Sequence, residues 1–259
     1  MVKVLLLNRN YRRSVVLAED GLPIPPYDLI LSVSGTLDDS WFIKGEQQAI
    51  ESIMDTMERI GLDADDFQEI LDFGCGCGIV IRHWRLTDST QIHGTDFNPK
   101  AIRWCERNLS FAHFNVNRLI PPLRYHDSQF SFIYALSVFT HIPEHVQNLW
   151  MDELNRVLMP NGFLLITTHG DHYFEELTPE EQEQFRAGNL VVRYKEAAGT
   201  NLCCTYHPYT YVGKKLAKHY EIVDAVPEGA KGNPHQDLYL LRKTDDQYLA
   251  KRKYPTSFK

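Results

Sequence analysis

Three glycines at alternate positions, Gly74, Gly76 and Gly78, follow the acid Asp72 and the apolar pair Ile70-Leu71. A second acid, Asp96, closes the run Ile92-His93-Gly94-Thr95 about one strand-helix-strand unit later. A strand that turns through glycines into a helix, with an acid at the next strand end, describes the nucleoside-binding half of an open α/β sheet. Two departures set it apart from the dinucleotide pattern. Position 79 is Ile79, so no third glycine falls at the G-x-G-x-x-G spacing from Gly74. An acid two residues ahead of the first glycine also repels a pyrophosphate. These residues specify a ligand with a ribose diol and a positive or zwitterionic group.

The rest of the chain fits a single α/β domain. Its 259 residues stand at the upper end for one domain, and 43% apolar with 24% charged residues is an ordinary globular balance. Apolar runs are strand-length, so no membrane span is expected, and Met1 to Leu7, followed by Arg9, Arg12 and Arg13, reads as a strand rather than a leader. A formal charge of -7 argues against a nucleic-acid partner, which requires a basic face. Five cysteines without disulfide or zinc spacing predict a reduced, cytosolic protein with no metal site. Oligomeric state has no signature in the chain.

Residues 1–40, with the proline-rich Leu22-Pro23-Ile24-Pro25-Pro26, read as an N-terminal extension without a long helix. Ile50, Ile53, Met54, Met57 and Ile60 mark one stripe of a helix from Gly45 to Gly61. Asn98-Pro99 is an N-cap and first-turn proline, and Ser110 to Asn115 a third strand. Phe130 to Leu136 is a buried fourth strand. A helix opened by Pro143, with Val146, Leu149, Trp150, Leu154, Val157 and Leu158 inward, ends at Pro160-Asn161-Gly162 before a fifth strand, Phe163–Thr167. Thr178-Pro179-Glu180-Glu181 is a capping box. A strand at Leu190–Tyr194, a helix near Tyr211–His219 and strands Glu221–Val226 and Asp237–Arg242 complete a Rossmann-like, doubly wound α/β fold. Residues 41–245 form the domain, with a substrate-side insertion at about 171–208 and a charged tail over 246–259.

S-adenosylmethionine has the required diol and charge. Asp96 is placed to accept from the ribose hydroxyls and Asp72 from the ammonium, while Gly74, Gly76 and Gly78, with the small Cys75, allow close backbone approach. The alternative is a tight turn without a ligand. Methyl transfer from a sulfonium requires alignment, desolvation and, for a hydroxyl or amine acceptor, proton removal.

Ile70-Leu71-Asp72-Phe73-Gly74-Cys75-Gly76-Cys77-Gly78 and Gly94-Thr95-Asp96-Phe97-Asn98 resemble the class I S-adenosylmethionine-dependent methyltransferases, as do Pro121-Pro122-Leu123, Phe130-Ser131-Phe132-Ile133 and Arg156-Val157-Leu158-Met159-Pro160-Asn161-Gly162. The resemblance covers about residues 40–245. It implies a seven-stranded sheet with an antiparallel last strand, a cofactor contact at Phe97, and an adenine contact at Asn115 or Asn117. Ser131 and Asn161 depart from the family's Asp and Gly. The wider pattern, Ser137–His141, Thr167–Gly170 and Gln236–Leu241, resembles methyltransferases of sugar and polysaccharide biosynthesis, which implies a small-molecule or glycan-type acceptor.

Ser137 follows the fourth strand, at the sheet end where such folds bind ligands, and is expected beside the methionine portion. His141 is the first candidate for a general base and His169 the second; each is equally readable as structural. Asn201, Tyr206-His207 and Gln236-Asp237 are candidates for the acceptor pocket, and Ser40-Trp41-Phe42 with Gly45 for a lid. His141-Ile142-Pro143-Glu144-His145 matches a zinc-peptidase pattern, but Pro143 puts His141 outside the helix and breaks the shared face. Two rival readings are a catalytically silent, cofactor-binding scaffold and a nicotinamide oxidoreductase or epimerase. The missing third glycine opposes the latter.

Overall fold

A computed structural model describes residues 16–35, 39–84, 90–232 and 235–244. The expected strand at 1–7 and the tail at 246–259 lie outside the described residues, as do the side chains of Ser40, Trp41 and Phe42. Helices α1 (Tyr27–Ser34) and α2 (Asp39–Arg59) precede strand β1 (Glu69–Phe73). There follow β2 (Gln91–Asp96), α3 (Pro99–Asn108), β3 (His113–Val116), β4 (Phe130–Ala135), α4 (Glu144–Val157) and β5 (Leu158–His169). The chain continues through α5 (Pro179–Arg186), β6 (Val191–Arg193), β7 (Cys204–Tyr206), β8 (Tyr220–Val226) and β9 (Gln236–Lys243).

The sheet's spine runs β3-β2-β1-β4-β5-β9-β8, with β9 antiparallel to both neighbours and the other spine strands parallel. This is the expected Rossmann-like order with an antiparallel last strand. The insertion adds the antiparallel pair β6–β7, which joins the sheet only through His169↔Tyr206. At that level β4 has already ended at Ala135, so β7 takes its place beside β5 and stands over the carboxyl end of the sheet.

Alternation along β4 sends Ile133 and Ala135 to one core and Phe132 and Tyr134 to the other, and the register shift between Phe130 and Phe132 puts Phe130 with the first. On α4, Val146, Trp150, Leu154 and Val157 fill the first core. Ile53 and Met57 of α2 and Ile102 of α3 fill the second. Leu149, expected on the inner stripe of α4, is 47% exposed at its edge, and Leu158 already belongs to β5. The third strand begins three residues later than expected. In β5 the segment Pro160-Asn161-Gly162 does not end the pairing: Asn161 takes a left-handed φ of 60°, and the register with β4 shifts and resumes.

Local signals place the helix starts. The Asn98 side chain accepts from the amides of Lys100 (3.0 Å) and Ala101 (3.4 Å), with Pro99 in the first turn. Thr178 and Glu181 close the reciprocal capping box that opens α5. The extension contains α1, an eight-residue helix that the apolar pattern did not suggest, and Arg82, almost fully buried, ties it to the domain through Asp20 at 2.6 Å. Helix α2 begins at Asp39 and so crosses the division drawn at residue 40. No helix among the described residues is long and apolar enough to cross a membrane.

Candidate functional site

At the carboxyl end of β1, β2 and β4 lies a cavity of about 510 Å³. Its floor is the turn after β1. The amides of Gly74 and Cys75 both donate to the Thr95 carbonyl (2.8 and 3.1 Å), which ties the turn to β2. Gly74 (φ 84°) and Gly76 (φ 52°) hold conformations open to glycine, and a methyl on Gly74 would collide with Val138. Gly78 is not among the residues that line the cavity; it packs toward Leu109 and Cys105.

Asp96 is nine-tenths buried and organises this floor. Its Oδ2 accepts from Gly76 N–H (2.9 Å) and its Oδ1 from Asn98 N–H (2.7 Å). Each carboxylate oxygen keeps a second lone pair, so two acceptor sites remain. Burial raises the Asp96 carboxyl from its usual range, against the pull of both amides.

Asp72, 4% exposed, also lines the cavity. Register sets Tyr134 of β4 opposite it, and the Tyr134 hydroxyl bonds to the carboxylate while accepting from Trp84 Nε1 at 3.1 Å. Burial holds the Asp72 carboxyl well above its usual range, with Asp96 adding repulsion. Arg118 is the one Lys or Arg side chain among the described lining residues, and it is exposed at the rim.

The far wall at the β2 end contains Phe97, 42% exposed, with Asn117, Arg118 and Leu119. Of the two asparagines after β3, Asn117 lines the cavity, its Oδ1 accepting from Thr95 Oγ1 at 2.9 Å. Asn115 does not; its amide reaches the Tyr125 hydroxyl at 3.3 Å.

Beyond β4 a hydrogen-bonded ring joins three strand ends. Ser137, at a left-handed φ of 56°, donates its amide to Thr167 Oγ1 (2.8 Å), which donates to Gln236 Oε1 (2.8 Å). Gln236 Nε2 returns to Ser137 Oγ at 3.0 Å. Ser137 Oγ also faces Nε2 of His141 at 3.5 Å, and His141 Nδ1 stands 2.8 Å from the carbonyl oxygen of Cys203. A carbonyl only accepts, so Nδ1 carries the proton and Nε2 of the neutral ring keeps an unprotonated lone pair, facing Ser137 Oγ. Burial lowers the His141 pKa, which favours that neutral form.

His169 makes tilted ring contacts with Tyr173 and Tyr206, is not among the lining residues, and burial pushes its pKa down to about 4. His207 is fully buried against Gln147 (3.1 Å), and neither it nor Tyr206 reaches the cavity. His145 is exposed on α4 and His141 lies before the helix, so the zinc-peptidase pair does not share a face.

Of the roof, the sequence offers only Gly45, as part of a lid, and Asn201, as an acceptor-pocket candidate. Ser32, Val33 and Ser34 of α1 line the cavity with Gly45, Gly199, Thr200, Asn201 and Gly232. Asn201 Nδ2 reaches the Val33 carbonyl at 3.4 Å, and Gly199 N–H reaches the His141 carbonyl at 2.7 Å. Extension and insertion therefore meet above the glycine turn.

Residues 70–162 match the family model described as a methyltransferase domain. The fold matches a methyltransferase of Methanosarcina mazei, described as S-adenosylmethionine-dependent, with a TM-score of 0.50 at 23% identity, over 68% of this chain and 92% of that one. Over residues 70–162 the chain carries a methyltransferase domain, and its fold is consistent with the class I S-adenosylmethionine-dependent methyltransferases. The N-methyltransferase NodS of Bradyrhizobium japonicum has the same fold (TM-score 0.50, 15% identity, 80% of this chain and 99% of that one). An uncharacterised protein of Rickettsia prowazekii is 29% identical over 104 residues, 38% of this chain. That match spans 42% of the curated relative.

S-adenosylmethionine is the cofactor expected of a methyltransferase domain, and the donor set fits it. Two buried carboxylates face the cavity, one with unfilled acceptor sites, and the described lining offers no buried Lys or Arg to balance them. A ligand bringing a diol and a cation supplies both.

Proposed function

We propose that this methyltransferase methylates a hydroxyl or amine of a small-molecule or glycan-type acceptor, with His141 as the proton acceptor. The observation that carries the reading is the 2.8 Å contact from His141 Nδ1 to the Cys203 carbonyl, which leaves Nε2 unprotonated in a residue that lines the cavity. In this reading Asp96 takes the ribose diol, Asp72 the ammonium, and Gly74 to Gly76 the methionine backbone. Phe97 and Asn117 flank the adenine, and Ser137 sits beside the methionine chain. The sulfonium supplies a methyl carbon already activated for displacement. The acceptor's oxygen or nitrogen forms the new bond to that carbon, the carbon-sulfur bond breaks, and the acceptor's proton passes to His141 Nε2. Thr200 and Asn201 in the roof offer the hydrogen-bonding groups a polyhydroxylated acceptor requires, and the likeness to an N-methyltransferase keeps nitrogen beside oxygen.

The test is mass detection of methylated product across a panel of amines and sugars, with wild type and His141→Ala. The variant is expected to keep S-adenosylhomocysteine affinity within about twofold and lose about a hundredfold or more in turnover. Full activity would reduce His141 to a structural role. Cofactor binding with no product from any acceptor would favour the silent scaffold.

A further inference from the structure

Outside the cavity, at the same end of the sheet, three side chains from separate segments converge. They are His172 in the turn after β5, Glu228 in the β8–β9 connection, and His235 just before β9. One ligand atom from each lies within 4.8 Å of the other two. Glu228 Oε2 is 3.2 Å from His172 Nδ1 and 2.6 Å from His235 Nδ1. The two imidazoles lie face to face, centroids 3.6 Å apart and planes 5° from parallel.

This is an expensive arrangement for an exposed surface. Three side chains give up rotamer freedom, and Glu228 (φ 51°) and His235 (φ 64°) both hold left-handed backbone, which L side chains rarely adopt. The positions are braced from below: the Glu228 amide donates to Asp237 Oδ1 at 3.0 Å, and Asp237 is 3% exposed.

We infer that His172, Glu228 and His235 form a binding site for one divalent transition-metal ion of the zinc class. Two imidazole nitrogens and a carboxylate oxygen form a donor set of borderline softness, suited to zinc rather than to calcium or magnesium. Ligands about 2.0–2.1 Å from a tetrahedral ion stand about 3.3 Å from one another, close to the present separations from Glu228, and the two stacked rings must rotate out of parallel for their nitrogen lone pairs to converge on one ion. These residues do not line the cofactor cavity. The role is therefore a clamp that fastens the β8–β9 connection to the segment after β5. His235 immediately precedes Gln236, whose amide spans Thr167 and Ser137, so the clamp also fixes the entry to the ring beside His141. The three residues are too far apart in sequence to form a ligand-spacing motif, which is why the sequence predicted no metal.

The experiment uses the full chain without a histidine tag, stripped of metal. It is titrated with Zn²⁺ alone by calorimetry and with Co²⁺ alone by visible absorption. One ion per chain is expected, with a Co²⁺ spectrum of low-symmetry nitrogen and oxygen ligation. Glu228→Gln and His235→Ala should each weaken binding at least about tenfold, while His145→Ala, outside the cluster, leaves it unchanged. Should either loop variant lose its native circular dichroism, His172→Ala, on a different segment, decides. Absence of binding, or affinity indifferent to all three substitutions, overturns the site.

Discussion

His141 Nδ1 lies 2.8 Å from the carbonyl oxygen of Cys203, across 62 positions of sequence. The contact fixes the histidine's tautomer from the insertion, so the acceptor-side loop and the proposed base are set together. Burial lowers the His141 pKa from 6.5. A base works only unprotonated, so kcat/KM should fall as pH drops through an apparent pKa below 6.5 and stay level above it. In His141→Ala that limb should disappear from the residual rate. A wild-type limb at or above 6.5 would separate it from this histidine.

Asp96 joins Gly76 and Asn98 through its two oxygens and retains two acceptor sites. Asp96→Ala should weaken S-adenosylhomocysteine binding at least about tenfold, because charged hydrogen bonds to the diol are lost and the glycine turn loses its anchor. Calorimetry on the folded variant checks it. An unchanged dissociation constant would remove Asp96 from the cofactor site.

What the chain disclosed beforehand was local. The glycine turn, Asp96 at a strand end, Asn98-Pro99 and the Thr178 box each act within a few residues, so their types and spacing suffice. Tyr134 against Asp72 depends on the register of β1 with β4, which alternation alone does not set. The roof from Val33 and Asn201 arises where two segments 168 positions apart meet, and eight residues of α1 are too few for a periodic signal. His169 was misplaced for a similar reason. It ends β5 two residues beyond the strand end expected at Thr167, and β7 arrives beside it and turns that position into packing.

A methyl group at Gly76 would lie 2.7 Å from Val33 Cγ1, and the φ of 52° adds strain for any L side chain. Gly76→Ala should therefore displace α1 and weaken cofactor binding. Adding Val33→Ala should restore the part due to collision and leave the backbone cost of about 1–2 kcal/mol. Thermal unfolding and calorimetry of the single and double variants measure both. Equal defects in the two would show that α1 does not press on the turn.

Acid should reveal the buried histidines. Burial pushes His207 down to about 3 and His169 to about 4, from 6.5. A depressed folded pKa means the unfolded chain takes up protons first, so this stability is intact above pH 6.5 and erodes as pH falls toward those values. From His207 alone the loss at pH 5 is about 2 kcal/mol. Asp237, raised to about 6, works in the opposite sense, its penalty fading as pH falls through that value. The informative quantity is therefore a difference between variants. His207→Gln keeps a donor for the Gln147 carbonyl oxygen and removes the titration. It should lose about 2 kcal/mol less than wild type between pH 7.5 and pH 5 in urea unfolding. An identical loss in the two proteins would mean that His207 does not resist protonation in the folded state.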